Sequence, residues 1–132
     1  MDLGVTRMRI LAAGETTARA FTVAEFAGDE GAWTIPHVHN RMEESFFVLE
    51  GNFTFTVGGD NIKAGPGTYL LVPRGMPHTF TADTRSGRVL VLMVPGGLED
   101  MFLELATLPR DSLRDPALRL AISSKYDSVP VR

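Results

Sequence analysis

"HVHNRMEESFFVLEG", His37 to Gly51, is the stretch on which the reading of this chain turns. Two of the three histidines in the whole sequence stand here one residue apart, just ahead of a glutamate pair and an apolar run. On an extended strand side chains repeat every second residue, so His37 and His39 share a face, about 6.6 Å apart along the backbone. Val38 then faces the other way. Two imidazoles so placed can converge on one ion, which neighbouring positions do not allow. Glu44 opens the next strand after the short loop Asn40 to Glu43, and its parity puts it with Phe46 and Val48. If those two are core residues, the Glu44 carboxylate is drawn inward with them. A buried carboxylate without a partner costs several kcal/mol or stays protonated, and a metal cation removes that penalty.

The third histidine, His78, stands in "PRGMPHTF" (Pro73–Phe80). Proline fixes φ and glycine takes conformations that other residues resist, so this turn delivers His78 to the start of a strand in a set direction. Phe80 and Ala82 share its face. Either three histidines are scattered, or all three meet with Glu44 at one point.

Around these two stretches, residues 1–95 read as short strands separated by turns. "TRMRIL" ends in "AAGE", and "ARAFTVAEF" ends in "AGDEG". "WTIPHVH" precedes the loop before "ESFFVL". "NFTFTV" (Asn52–Val57) alternates, so that Phe53, Phe55 and Val57 look inward. "GGDN" and "AGPG" are turn signals, and "TYLLV", "HTFTA" and "RVLVLMV" complete the set. Short strands at even spacing predict an all-β antiparallel sandwich or barrel. "SFFVL" and "VLVLMV" are apolar on both faces, so the outer face is expected to pack on the C-terminal helices or on a second copy of the chain, a homodimer.

After Pro95 the periodicity changes. Leu98, Met101, Phe102 and Leu105 fall at the spacing of one helix face. Glu99 and Asp100 favour its N-terminus through the helix dipole. "RDPALRLAISSKY" predicts a second helix, with Asp115 as N-cap and Pro116 at its first position. Both are expected to cover the barrel end rather than form another domain, giving one domain over 1–132, with a barrel at about 5–95 and a helical tail at about 97–127.

Composition bounds the function. The chain is 44% hydrophobic and 22% charged with net charge −3, as expected of a globular protein without a nucleic-acid footprint. No apolar run is long enough for a bilayer, and no signal-peptide pattern opens the chain. There is no cysteine, which excludes disulfides, thiolate metal sites and a thiol nucleophile. A cytoplasmic location is the expectation, and any metal must be held by nitrogen and oxygen.

Two motifs here resemble those of the cupin superfamily. Gly31, His37, His39, Glu44 and Gly51 fit its first motif, and Gly67, Pro73, Gly75 and His78 fit its second. The final position of the second motif is Ala82 where the family has asparagine. That asparagine is not a metal ligand in the family, so the ligand assignment stands. The gap between motifs, Asn52 to Pro66, is short for the family. The resemblance covers about residues 20 to 95 and implies an antiparallel double-stranded β-helix, or jelly-roll barrel, followed by two short helices. It implies His37, His39, Glu44 and His78 as ligands of one divalent transition metal ion.

Three imidazoles and a carboxylate suit Fe, Mn, Ni, Co, Cu or Zn, and the sequence does not choose among them. A metal preferring five or six ligands keeps positions open for substrate, whereas tetrahedral zinc is closed by the same four donors. Glu44 has a second, catalytic role open to it, as a base toward an enol or phenol. Trp33, Ile35, Met42, Phe46, Phe53, Phe55 and Phe80 are expected as core or as the wall of a substrate pocket. Arg41 and Glu43 read as solvent-facing. Within the superfamily the chain looks like the quercetin dioxygenase-like group, which implies an oxidoreductase cleaving a small enolic or polyphenolic substrate with O2. Two alternatives stay open: a non-redox metal-dependent isomerase, lyase or polyketide cyclase, and a non-catalytic small-molecule-binding barrel. A sensor would carry an effector domain, for which the stretch after Pro95 leaves little room.

Overall fold

The spine of the molecule is one long strand, β8 (His78–Val94), which belongs to two sheets at once. In this computed structural model residues 1–4, 6–109, 111–112 and 115–131 are described. Residue 5, where the barrel is expected to begin, and Arg114 of the second helical stretch lie outside them. The other strands are β1 (Thr6–Ala12), β2 (Thr22–Ala32), β3 (His37–Val38), β4 (Glu43–Glu50), β5 (Phe53–Val57), β6 (Asp60–Ala64), β7 (Tyr69–Val72) and β9 (Val129–Pro130). The second half of β8 pairs with β2 on one side and β4 on the other, and β1 and β7 extend this sheet. Its first half pairs with β5 on one side and with the end of β2 and His37 of β3 on the other. All these pairings are antiparallel, as a double-stranded β-helix requires.

Two boundaries differ from the sequence reading. "AGDEG" does not end β2, because Gly28 and Asp29 stay paired with Gly87 and Ser86 of β8. "HTFTA" and "RVLVLMV" are likewise one strand, since "DTRSG" between them runs on in extended conformation. Turn-type residues are tolerated there because β2 and β8 pair with each other on both sides of these stretches. A register shift between Asp29 and Gly31 realigns the pair beyond it.

The two sheets close on an aromatic core. Phe46 from one sheet meets Phe55 and Phe80 from the other, with ring centroids 5.0 and 5.3 Å apart. Trp33 stands edge-on to Phe53 at 5.1 Å. Each such ring pair adds about 0.5–1.5 kcal/mol beyond simple burial. Met8, Val48, Val89, Val91 and Met93 fill the remaining inner face. Gly51 is required at its turn: its φ is +81, and a Cβ there would lie 2.5 Å from the Ser86 carbonyl oxygen.

Two helices follow, α1 (Glu99–Ala106) and α2 (Pro116–Ser123). Asp115 caps α2 as expected, its Oδ1 accepting from the amides of Ala117 and Leu118. Glu99 does more than complement a dipole. Its buried carboxylate accepts from the Gly14 amide at 2.5 Å, the Gly97 amide at 2.8 Å and the Thr22 hydroxyl at 2.8 Å. These bonds outweigh burial and hold its pKa below the ordinary value. The start of α1 is thereby locked to β2. Beyond the stretch expected to be helical, about 97–127, the chain returns to the barrel as β9 beside β3.

On the outer face of the first sheet Phe47, Tyr69, Leu71, Leu92 and Val94 are exposed. The helices do not cover that face; they lie over the opposite, inner side, where Leu98, Met101 and Leu105 are buried. Among the described residues no helix is long and apolar enough to cross a membrane.

Candidate metal centre

The ladder between β3 and β8 places His37 directly opposite His78. His39 follows one residue past the end of β3, and Glu44 sits on β4, paired with Val72 and Met93, on the inward face shared with Phe46. The turn before β8 is held by the Gly75 amide donating to the His39 carbonyl at 2.7 Å, with Gly75 at φ +76. That bond ties the two histidine-bearing turns to each other. As a result the four side chains meet: one donor atom from each of His37, His39, Glu44 and His78 lies within 4.8 Å of the others. Bonds of about 2.0–2.2 Å to a shared ion put donors at most ~4.4 Å apart, so closure needs only small side-chain movements.

The orientation of the rings is as telling as their proximity. His37 Nδ1 donates to the Ile35 carbonyl at 2.7 Å, and His78 Nδ1 to the Met76 carbonyl at 3.0 Å. His39 Nδ1 donates to the Asp127 carbonyl at 2.5 Å. A carbonyl only accepts, so each Nδ1 carries hydrogen and each Nε2 is the nitrogen turned to the centre. His39 Nε2 is buried there with no hydrogen-bond partner among the described residues, since Glu44 Oε1 is 3.7 Å away. Glu44 Oε1 is 3.3 Å from His78 Nε2.

Charge is balanced awkwardly without a cation. Burial pushes the Glu44 pKa up, but the neighbouring His39 and His78 imidazoles outweigh it and hold the carboxyl well below its usual range. Burial, with His78 beside it, lowers His37 to about 4. Burial pulls His39 down as well, yet Glu44 and the Asp127 carbonyl prevail and its net shift is upward. A buried anion thus stands among three imidazoles, of which His39 is shifted toward its charged form and His37 away from it. A divalent ion would neutralise the buried carboxylate and partner the orphaned nitrogen, so the residues present fit a metal.

Three of the four clustered residues, His37, His39 and Glu44, line a cavity of about 400 Å³, of the size small ligands occupy. Trp33, Ile35, Phe46 and Phe80 line it, as expected, with Ile35 at the rim, 65% exposed. Met42, Phe53 and Phe55 do not: they are buried in the core, with Phe53 and Phe55 on the far side of Phe80 and Phe46. Sequence alternation shows which residues face inward but not which level of the barrel stays hollow. Arg41 is exposed, and Glu43 is half-buried and paired with Arg74 at 2.9 Å rather than solvated. The tail supplies much of the opposite wall through Leu98, Met101, Phe102 and Leu105. Helical periodicity pointed to these four, whereas no local pattern marks Asp127.

A family model for the cupin domain matches residues 24–95, which include all four clustered donors. The chain is 33% identical over 97 residues to quercetin 2,3-dioxygenase of Bacillus subtilis (strain 168), covering 74% of this chain and 29% of that protein. With quercetin 2,3-dioxygenase of Aspergillus japonicus it shares 26% over 129 residues, covering 92% of this chain and 37% of that protein. It therefore spans about a third of the length of these curated relatives. The structure of KdgF from Halomonas sp. matches with a TM-score of 0.66 at 22% identity, over 73% of this chain and 84% of that one, a likeness of fold alone. The matched barrel, its paired motifs and the converging donors lead to one conclusion: this chain belongs to the cupin family, and within it resembles the quercetin dioxygenase-like group.

Proposed function

We propose that this chain is a metal-dependent oxidoreductase of the dioxygenase type, acting on a small, flat enolic or polyphenolic substrate with O2. The observation that carries the reading is the junction of two environments: a cluster of four convergent donors, three of which (His37, His39 and Glu44) line a cavity whose wall is mostly aromatic and aliphatic, with Arg119 and a few hydroxyls among its lining. A bound divalent ion would supply Lewis acidity and open coordination positions for the substrate oxygens. His37, His39 and His78 would hold it through Nε2, each ring fixed by its Nδ1 bond. Glu44 would hold it through Oε1, leaving its second oxygen to take the proton of an enol or phenol. Trp33, Phe46 and Phe80 would stack or abut the ring system and exclude water. The likeness to two quercetin dioxygenases supports the substrate class.

The direct experiment is to purify the protein without added metal, identify the bound element and screen enolic and polyphenolic compounds with an oxygen electrode. Oxygen uptake in step with substrate loss is expected. Equal turnover without oxygen would overturn the dioxygenase reading in favour of isomerase, lyase or cyclase chemistry.

The same proposal includes a two-fold dimer through the outer sheet face. Phe47, Tyr69, Leu71 and Leu92 are neighbours across β4, β7 and β8, and ion pairs of both signs edge them: Arg88 with Glu25 and Glu50, and Arg74 with Glu43. A second copy can meet such a face without like-charge conflict. Light scattering should give a dimer that Leu71→Glu converts to monomer. A monomeric parent protein would remove this part.

A further inference from the structure

We propose that the end of the chain is a working part of the metal centre, with Asp127 as the positioning residue for His39. The inference rests on the metal reading above. Two of the three histidines are oriented locally, by the carbonyl two residues earlier in their own segment: Ile35 for His37 and Met76 for His78. His39 is not. Its Nδ1 donates to the carbonyl of Asp127, 88 residues further along the chain. The same residue grips the backbone just after His39 with its side chain. Asp127 Oδ1 accepts from the Asn40 amide at 2.8 Å, and Oδ2 from the Arg41 amide at 2.7 Å.

The neighbouring residues extend the grip. Val38 pairs with Val129 and His37 with Pro130, and the Val131 amide donates to the Pro36 carbonyl at 3.0 Å. Residues 36–41 are thereby held along their length by residues 127–131. Other contacts already anchor the tail elsewhere, through Glu99 at the start of α1 and the 2.5 Å ion pair of Lys125 with Glu104. What Asp127 adds is the set of His39 itself. A carboxylate bound to two successive amides fixes the peptide that follows the histidine, and its own carbonyl fixes the ring tautomer and tilt. Without it the donor that lacks a local carbonyl partner would be free to turn.

Co(II) serves as the probe, with affinity measured by competition against a chelator and geometry by its visible d–d spectrum. Asp127→Ala keeps the backbone carbonyl that receives His39 Nδ1 but deletes the acceptors of the Asn40 and Arg41 amides that hold it in place, so it should weaken Co(II) binding several-fold to about tenfold and change the spectrum, in a protein with parental far-UV circular dichroism. Asp127→Asn keeps one acceptor oxygen and should fall between the two. Asp115→Ala is the matched control, because it also deletes a tail carboxylate that caps two amides, but at α2. It should lower thermal stability and leave Co(II) affinity within about twofold of the parent. Parental affinity and spectrum in folded Asp127→Ala would overturn the proposal, as would an equal loss in Asp115→Ala. Should Asp127→Ala not fold, Asp127→Asn decides: a several-fold loss supports the role and parental affinity refutes it. A parent protein that takes up no Co(II) would instead overturn the metal reading, before any variant is compared.

Discussion

The barrel and the tail build the same cavity by opposite means. In the barrel, function follows from short-range rules: strand alternation aims Glu44 inward with Phe46, and a glycine-containing turn starts β8 at His78. In the tail, function follows from contacts that cross the whole chain, such as Glu99 to Gly14 and Asp127 to His39. The barrel supplies the donors, and the tail supplies a wall and the orientation of one of them. The difference teaches that a local motif can place a cluster of donor side chains while the hydrogen bonds that orient one of them come from far outside the motif.

Variants on the two sides should therefore behave differently. The largest effect is expected for His78→Ala or His37→Ala, which remove a donor outright. Metal content by elemental analysis should fall to near zero and activity with it, while circular dichroism stays that of a folded barrel. Full occupancy in such a variant would break the donor assignment. Next comes Glu44→Gln, which keeps the shape of the side chain and most of the metal. If the carboxylate also acts as base, turnover should fall by about 10²–10⁴-fold. Undiminished turnover would confine Glu44 to holding the ion.

On the tail side, Glu99→Ala leaves the Gly14 and Gly97 amides and the Thr22 hydroxyl without their acceptor. A loss of about 1–3 kcal/mol in urea unfolding is expected, with metal affinity of the folded protein unchanged. Coupled losses of stability and affinity would show that tail docking and site geometry are one property rather than two.

The smallest effect is that of pH. His37, lowered to about 4, is already neutral near neutrality, and Glu44 is already ionised. His39 has its pKa raised, because Glu44 and the Asp127 carbonyl outweigh burial, so it is the imidazole whose proton competes with a metal as pH falls. Affinity should thus weaken as pH falls below the raised His39 value, by about tenfold per pH unit for one proton released. An affinity that stays unchanged as pH falls well into the acid range would mean that His39 is not a ligand.

How much of this was legible follows the same division. Two-residue periodicity and turn chemistry act locally and marked His37, His39, Glu44 and His78 as candidates, and the resemblance to the cupin motifs joined the four into one set. The continuity of β2 and β8 through "AGDEG" and "DTRSG" was hidden, since their pairing to each other overrides a turn-like composition. The inward parity of Phe53 and Phe55 was legible, but their place in solid core rather than cavity wall was not, because hollow and filled levels of a barrel share one pattern. Asp127 stands in "SSKYDSVPVR", where nothing local distinguishes it from a surface aspartate. Its meaning exists only once the chain has folded back on β3.

The most direct test of the central claim is X-ray absorption spectroscopy of the metal carried by the purified protein. Three imidazole nitrogens and one carboxylate oxygen at about 2.0–2.2 Å are expected, with the multiple scattering of three histidine rings. A spectrum with a single imidazole or none, or with water oxygens alone around the metal, would contradict it.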